Sequence, residues 1–183
     1  MSHSGRVVVG VSGTPTSLQA LRVAVTEARK AGSRLSAVLA WTPPGGELGY
    51  RRAPCPPLLR IWEDTAEWPL RNSFDEALGG VPTDLPVELV VIRGDAAESL
   101  VELADGADDL LVVGAGARGA FARLVHGGTA RRCVGRAHCR VLTVPAPELL
   151  GSLPWRQRHR VPSPPHEPSP PTGSPTPRDR APH

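Results

Sequence analysis

Hydrophobic positions fall into short continuous runs separated by stretches of helical periodicity. Residues 6–11 form a β-branched apolar run that stops at Ser12-Gly13, the pattern of a strand buried on both faces. Thr14-Pro15-Thr16-Ser17 then offers capping hydroxyls and a proline suited to a first helical turn. Leu18, Leu21, Val25 and Ala28 recur at helical spacing until Gly32. Residues 34–41 predict a second strand, and residues 42–57, rich in proline and glycine, predict a long loop. Residues 58–79 predict helix, with a break or kink at Pro69. Residues 85–92 predict a third strand. A helix over 95–104 follows, capped by Asp95 with Glu98 placed as in a capping box. Residues 109–113 and 140–144 predict the last two strands, with a short helix over 129–136 between them.

Alternating strands and helices of this kind predict an α/β fold. It is a five-stranded parallel sheet with helices on both faces, Rossmann-like or flavodoxin-like. Ligands of such sheets bind at the carboxyl ends of the strands.

Beyond Ala146 the periodicity stops. Eleven of the 21 prolines lie there, and few large apolar residues remain. Residues 1–146 therefore read as one domain and 147–183 as a Pro-rich disordered tail, a spacer more than a docking peptide despite its PxxP spacings. Charge divides at the same place. Residues 1–145 carry 16 basic and 15 acidic side chains, and 146–183 carry five and three. A near-neutral body with a mildly basic tail is not the footprint of a nucleic-acid-binding domain. No apolar run is long enough to cross a membrane or to form a signal-peptide core. Three cysteines without metal or CxxC spacing fit a reducing, cytoplasmic compartment.

The candidate chemistry lies between the fourth strand and the last helix. Gly114, Gly116 and Gly119 spell GxGxxG after a strand. A dinucleotide site, however, needs that motif in the first βαβ unit with an acidic residue about 20 positions later. None occurs between Asp109 and Glu148. A Walker loop is excluded because no GK[ST] occurs. Anion binding by backbone N–H groups remains open. The glycines permit close approach, Gly127-Gly128-Thr129 opens a helix whose N-terminus favours phosphate, and Arg118 and Arg123 are near in sequence. The alternative is that the glycines only permit a tight loop.

No catalytic constellation stands out. Ser12 and Ser17 lack a nucleophile-elbow context. His126 and His138 are isolated, and Asp108-Asp109 suits a loop cap better than a metal pair. Cys139 reads as inert, and Arg131, Arg132 and Arg136 read as a solvated helix face.

The glycine-rich segment resembles the C-terminal signature of the universal stress protein family: Gly, two residues, Gly, nine residues, then Gly with Ser or Thr. Residues 7–15, Trp41 with Pro43-Pro44, residues 93–97 with 108–114, and residues 137–145 resemble other parts of that family in collinear order. The resemblance implies an adenine nucleotide alpha hydrolase-like sheet and a cytoplasmic stress-response protein. It also implies a homodimer paired through the last strand, Val141, Leu142, Thr143 and Val144. Some members bind ATP, with Mg²⁺. For this chain the resemblance implies a sensor of adenine nucleotides, not a dedicated enzyme. Gly10, Val11, Ser12, Ala40 and Trp41 would line the ribose and adenine side. Gly127, Gly128 and Thr129 would hold the phosphates, Gly114 and Gly116 would allow close approach, and Ala117, Gly119 and Ala130 complete the same nucleotide site.

The chain departs from the pattern at three places. Ala117 stands for the second glycine, Gly128 for the hydroxyl residue, and Ser12 for an aspartate at the end of the first strand. A register using Gly116, Gly119 and Gly128-Thr129 restores the residue types but shortens the spacing to eight. These departures keep open a binding-defective member that acts through dimerisation and protein contacts. A dinucleotide- or flavin-dependent enzyme is the weakest alternative.

Overall fold

The computed structural model describes residues 5–115 and 128–146. Five strands, β1 (Val7–Gly10), β2 (Leu35–Trp41), β3 (Val87–Arg93), β4 (Leu110–Gly114) and β5 (Arg140–Val144), form one sheet. All pairings are parallel, in the order β3-β2-β1-β4-β5. Side chains alternate between its faces. Val7, Val9, Leu35, Ala37, Leu39 and Val112 face a core shared with α1 (Pro15–Ala31) and α4 (Glu67–Leu78). Val8, Val38, Leu111 and Val113 face α5 (Ala96–Leu103) and α6 (Thr129–Arg136). Burial of β1 and β4 on both faces explains why they read as continuous apolar runs.

Local signals set the helix ends. Thr14 caps α1 by accepting from Ser17 N–H, and Gly32 ends it at φ 58°, a left-handed value that glycine adopts without penalty. Asp95 caps α5 by accepting from Ala97 and Glu98 N–H at 3.0 and 3.1 Å. Asp109, buried before β4, is the loop cap expected of it. Its carboxylate accepts from Arg6 N–H at 2.9 Å and Gly106 N–H at 3.2 Å, and it pairs with the Arg6 guanidinium at 3.2 Å. This ties the entrances of β1 and β4 together.

Two expectations are corrected between β2 and β3. The loop expected over 42–57 contains a helix, α2 (Gly46–Arg52), and α3 (Pro56–Thr65) begins before that loop should end. The seven residues of α2 bury no side chain, so they carry no apolar period to read. The helix break falls at Ala66 and not at Pro69. A proline clashes with the carbonyl four residues earlier, so Pro69 disrupts the chain near Thr65 and sits comfortably in the first turn of α4.

Candidate functional site

The strand order turns at β1. The chain steps outward through β2 and β3, then returns to the other side of β1 with β4 and β5. The carboxyl ends of β1 and β4 are thus neighbours at a switch point, where open α/β sheets bind ligands.

Beyond Gly10 the chain makes a tight turn into α1. Ser12 N–H donates to Ser17 Oγ at 3.2 Å, and the Ser12 and Thr14 hydroxyls lie 3.2 Å apart on the exposed side. Val11 buries its side chain in the core, so only its backbone borders the switch point. Opposite, the first turn of α1 is seated on Gly114. A Cβ there would stand 2.9 Å from Thr16 Cγ2 and 3.0 Å from the Thr16 backbone. Gly10 has a similar restriction on the α5 side, where a Cβ would meet Leu100 Cδ1 at 2.8 Å. Both glycines therefore have packing roles on the protein itself. The close approach at Gly114 brings the start of α1 onto the end of β4. Ala40 and Trp41 end β2 on the other side of β1, and the Trp41 carbonyl accepts from Gly94 N–H at 2.9 Å.

Three helices that follow a strand and pack on the sheet begin at this end, and their N-termini differ. α1 and α5 have side-chain caps, from Thr14 and Asp95. α6 has none. Its cap position is Gly128, at φ 37° and ψ 104°, with no side-chain hydrogen bond to the first turn. Four N–H groups of a first turn lack helical partners, and a dipole adds positive character there. Thr129 is exposed in that turn, while Ala130 packs against the α5-side core. Gly116, Ala117, Gly119 and Gly127 lie outside the described residues.

A contact missed in the sequence fixes α6. Arg132 reaches across to α5, with Nη1 2.7 Å from Asp95 Oδ2 and Nη2 3.4 Å from Glu98 Oε1. Arg136 adds a longer contact to Glu98 at 3.5 Å. The arginines expected to form a solvated face therefore include two cross-helix partners. Their hydrogen-bonding partners were unreadable because α5 and α6 are about 35 residues apart in sequence. The Arg132 guanidinium beside Asp95 holds its carboxyl below the usual carboxylate range, despite the opposing effect of desolvation. Because Asp95 caps α5 at the carboxyl end of the sheet, this clamp places the start of α6 at the same end. Arg93, at the end of β3, is similarly held by Glu47 of α2 at 2.9 and 3.0 Å, and its guanidinium lies 4.9 Å from the Tyr50 ring centroid.

Burial disposes of the cysteines as nucleophiles near the sheet. Cys133 is fully buried and its thiol is pushed up to about 11; burial also raises Cys139. Among the described residues, no group of three or more His, Cys, Asp or Glu is placed to hold a metal, and no helix is long and apolar enough to cross a membrane. Two shallow hollows of about 380 and 290 Å³ lie at the opposite, amino end of the strands, against Ser33 and away from the switch point.

The family model for the universal stress protein family matches residues 3–145. Over 143 residues the sequence is 34% identical to universal stress proteins of Mycobacterium bovis and Mycobacterium tuberculosis. Those matches take in 78% of this chain and 44% of each relative, so the chain spans less than half the length of the curated relatives it matches. A universal stress protein solved in complex with cAMP is 28% identical, with a TM-score of 0.51, covering 80% of this chain and 100% of the other. A universal stress protein from Lactobacillus plantarum shares the fold at 18% identity and a TM-score of 0.55, covering 79% and 99%.

Proposed function

The chain belongs to the universal stress protein family, and from that premise we propose that it binds an adenine nucleotide at the β1/β4 switch point. One observation carries the reading. Of the three helices that follow a strand, pack on the sheet and start at its carboxyl end, α6 alone presents a first turn without a side-chain cap; α2 is also uncapped but buries no residue. A phosphate supplies the missing acceptor. In this reading the N–H groups of Thr129 and Ala130 and the Thr129 hydroxyl hold phosphate oxygens. The backbone of Gly10, Val11 and Ser12 borders the ribose, and Ala40 and Trp41 border the base. Glycines between β4 and α6, at positions 116, 119 and 127, let the backbone close on the phosphates. The cAMP complex of a relative supports an adenine nucleotide as the ligand class. ATP is the proposed nucleotide, and Mg²⁺ enters on its phosphates, since Ser12 and Thr14 offer hydroxyls and no carboxylate. The protein acts as a cytoplasmic stress-response sensor of nucleotide, without a dedicated reaction.

Calorimetric titration of nucleotide-free protein with ATP, with and without Mg²⁺, and with cAMP tests this reading. A dissociation constant in the micromolar range is expected, and one weaker than about 1 mM for every nucleotide rejects it. Gly128→Asp sets a negative charge where the phosphate should lie; the helix end favours the charge, while the left-handed backbone at φ 37° costs about 1–2 kcal/mol. It should abolish binding with unchanged circular dichroism; unchanged affinity would remove the phosphate from α6.

The second element of the proposal is a homodimer. β5 is an edge strand, and Leu142 on it and Val134 on α6 are exposed large hydrophobics. An uncovered edge of this kind favours pairing. Light scattering should report a dimer for the wild type and a monomer for Leu142→Arg. If binding fails while the dimer persists, the binding-defective reading motivated by Ser12, Ala117 and Gly128 is the one that survives.

A further inference from the structure

The segment between β2 and α4 is poorly covered. Neither α2 nor α3 contains a buried residue. Three of the seven exposed large hydrophobics among the described residues, Leu48, Leu58 and Ile61, lie here, and a fourth, Trp68, is in the first turn of α4. On α3, Leu58, Ile61 and the half-buried Trp62 fall three and four residues apart, a single apolar stripe. α3 packs on α4, and α2 is held by its contacts to Arg93. Helices of seven and ten residues are too short to persist without packing of an apolar face. Such a face calls for an occupant.

The chain beyond β5 has the matching chemistry. Leu149, Leu150, Leu153 and Trp155 are followed directly by Arg156, Arg158 and Arg160. On α3 the apolar stripe runs into Glu63 and Asp64, both exposed. Glu67 pairs with Arg71, whereas Glu63 and Asp64 form no ion pair among the described residues. The chain is long enough to cross the sheet. β2 and β5 both deliver the chain to the carboxyl end of the sheet, three strand spacings apart, about 15 Å. The residues from Pro145 to Leu149 span about 13 Å when extended, and those from Leu149 to Trp155 about 20 Å more. A lipid surface fits less well, because residues 46–65 carry three arginines against three acids and so lack a basic face.

We propose that residues 149–160 fold back onto α3 of the same chain. Leu149, Leu150, Leu153 and Trp155 cover the stripe formed by Leu58, Ile61 and Trp62, and the arginines sit beside Glu63 and Asp64. The proline-rich remainder from Pro162 stays outside this contact. The tail then serves as a cover for the inserted helices, on the side of the sheet that carries the ends of β2 and β3.

Hydrogen exchange followed by mass spectrometry on the full chain tests this. A Leu150→Ser, Leu153→Ser, Trp155→Ser variant should exchange about tenfold faster over residues 46–65, with β1 and β4 unchanged. Ile61→Arg should speed exchange over 149–160 by a similar factor, and Glu63→Arg with Asp64→Arg should do so in part. Equal exchange over 46–65 in the tail variant and the wild type overturns the proposal. So does protection of 46–65 that rises with protein concentration and disappears in the monomeric Leu142→Arg variant, since a second copy would then be the occupant.

Discussion

Arg132 of α6 grips the residue that caps α5, its Nη1 lying 2.7 Å from Asp95 Oδ2. One carboxylate thus serves two helices, accepting two N–H bonds from its own and one guanidinium from the next. Asp95→Ala should lose both services and cost about 1–2 kcal/mol, most of it from the cap. Asp95→Asn keeps an acceptor oxygen and should cost less than about 1 kcal/mol, because the pair is well exposed. Urea denaturation at neutral pH distinguishes them; equal costs would mean that the charge, not the cap, carries the effect.

The same pair has a defined pH signature. Arg132 lowers the folded-state pKa of Asp95, so its contribution is complete above the unfolded value of about 3.9. It is lost as pH falls through the lower folded value. The stability difference between wild type and Asp95→Asn should therefore be flat through neutral pH and shrink only below about pH 4. A change centred near pH 6 to 7 would point to a histidine instead.

Gly10 and Gly114 should respond differently to alanine. At Gly114 the added methyl meets Thr16 backbone atoms at 3.0 Å, which cannot rotate away. Gly114→Ala should cost about 2–3 kcal/mol, and Thr16→Ala should not restore the loss. At Gly10 the obstacle is the far end of Leu100, so Gly10→Ala should be milder and largely relieved by Leu100→Val. Thermal denaturation of the four single and the two double variants measures both. Rescue at Gly114 by Thr16→Ala would show that the Thr16 side chain alone sets the spacing there.

Restoring a hydroxyl at position 128 should not help. The backbone there has φ 37°, where an L-residue costs about 1–2 kcal/mol. Serine improves on glycine as an N-cap by only a few tenths of a kcal/mol. Gly128→Ser should destabilise the protein by about 1 kcal/mol in chemical denaturation. A stabilised variant would show that this turn readily adopts another conformation.

Thiol labelling should follow burial. Cys55 is exposed and should react first at neutral pH, Cys139 more slowly, and Cys133 only after unfolding. Because burial raises the folded-state pKa of Cys133, the unfolded chain releases its proton first as pH rises. Stability should fall between about pH 8.5, the ordinary thiol value, and about 11. Cys133→Ala should flatten that alkaline slope, leaving the part due to Cys139.

The sheet was legible because β1 and β4 are buried on both faces and β5 is bounded by proline, so runs such as Val7-Val8-Val9 and Leu110-Leu111-Val112-Val113 had few other readings. The sequence also located α6, Thr129–Arg136, to the residue. The inserted helix α2 escaped because side chains that bury nothing leave no period. Pro69 misled by three residues because its clash is with the preceding turn. At the site, the glycines were visible but not the reasons for two of them. Gly114 answers to Thr16 and Gly10 to Leu100, each about 90 or more residues distant in sequence. The Asp95–Arg132 clamp was equally hidden, since periodicity describes one helix at a time and never its neighbour.

The central position of β1 has a consequence for synthesis. Val7 pairs with Leu35 on one side and with Leu110 on the other. A nascent chain can complete the first pairing early, but the second edge of β1 stays open until β4 has left the ribosome. The switch point between them is incomplete before then. A growing chain of this protein should therefore gain any affinity for nucleotide only once β4 and α6 have emerged, long after β1 and α1 have formed.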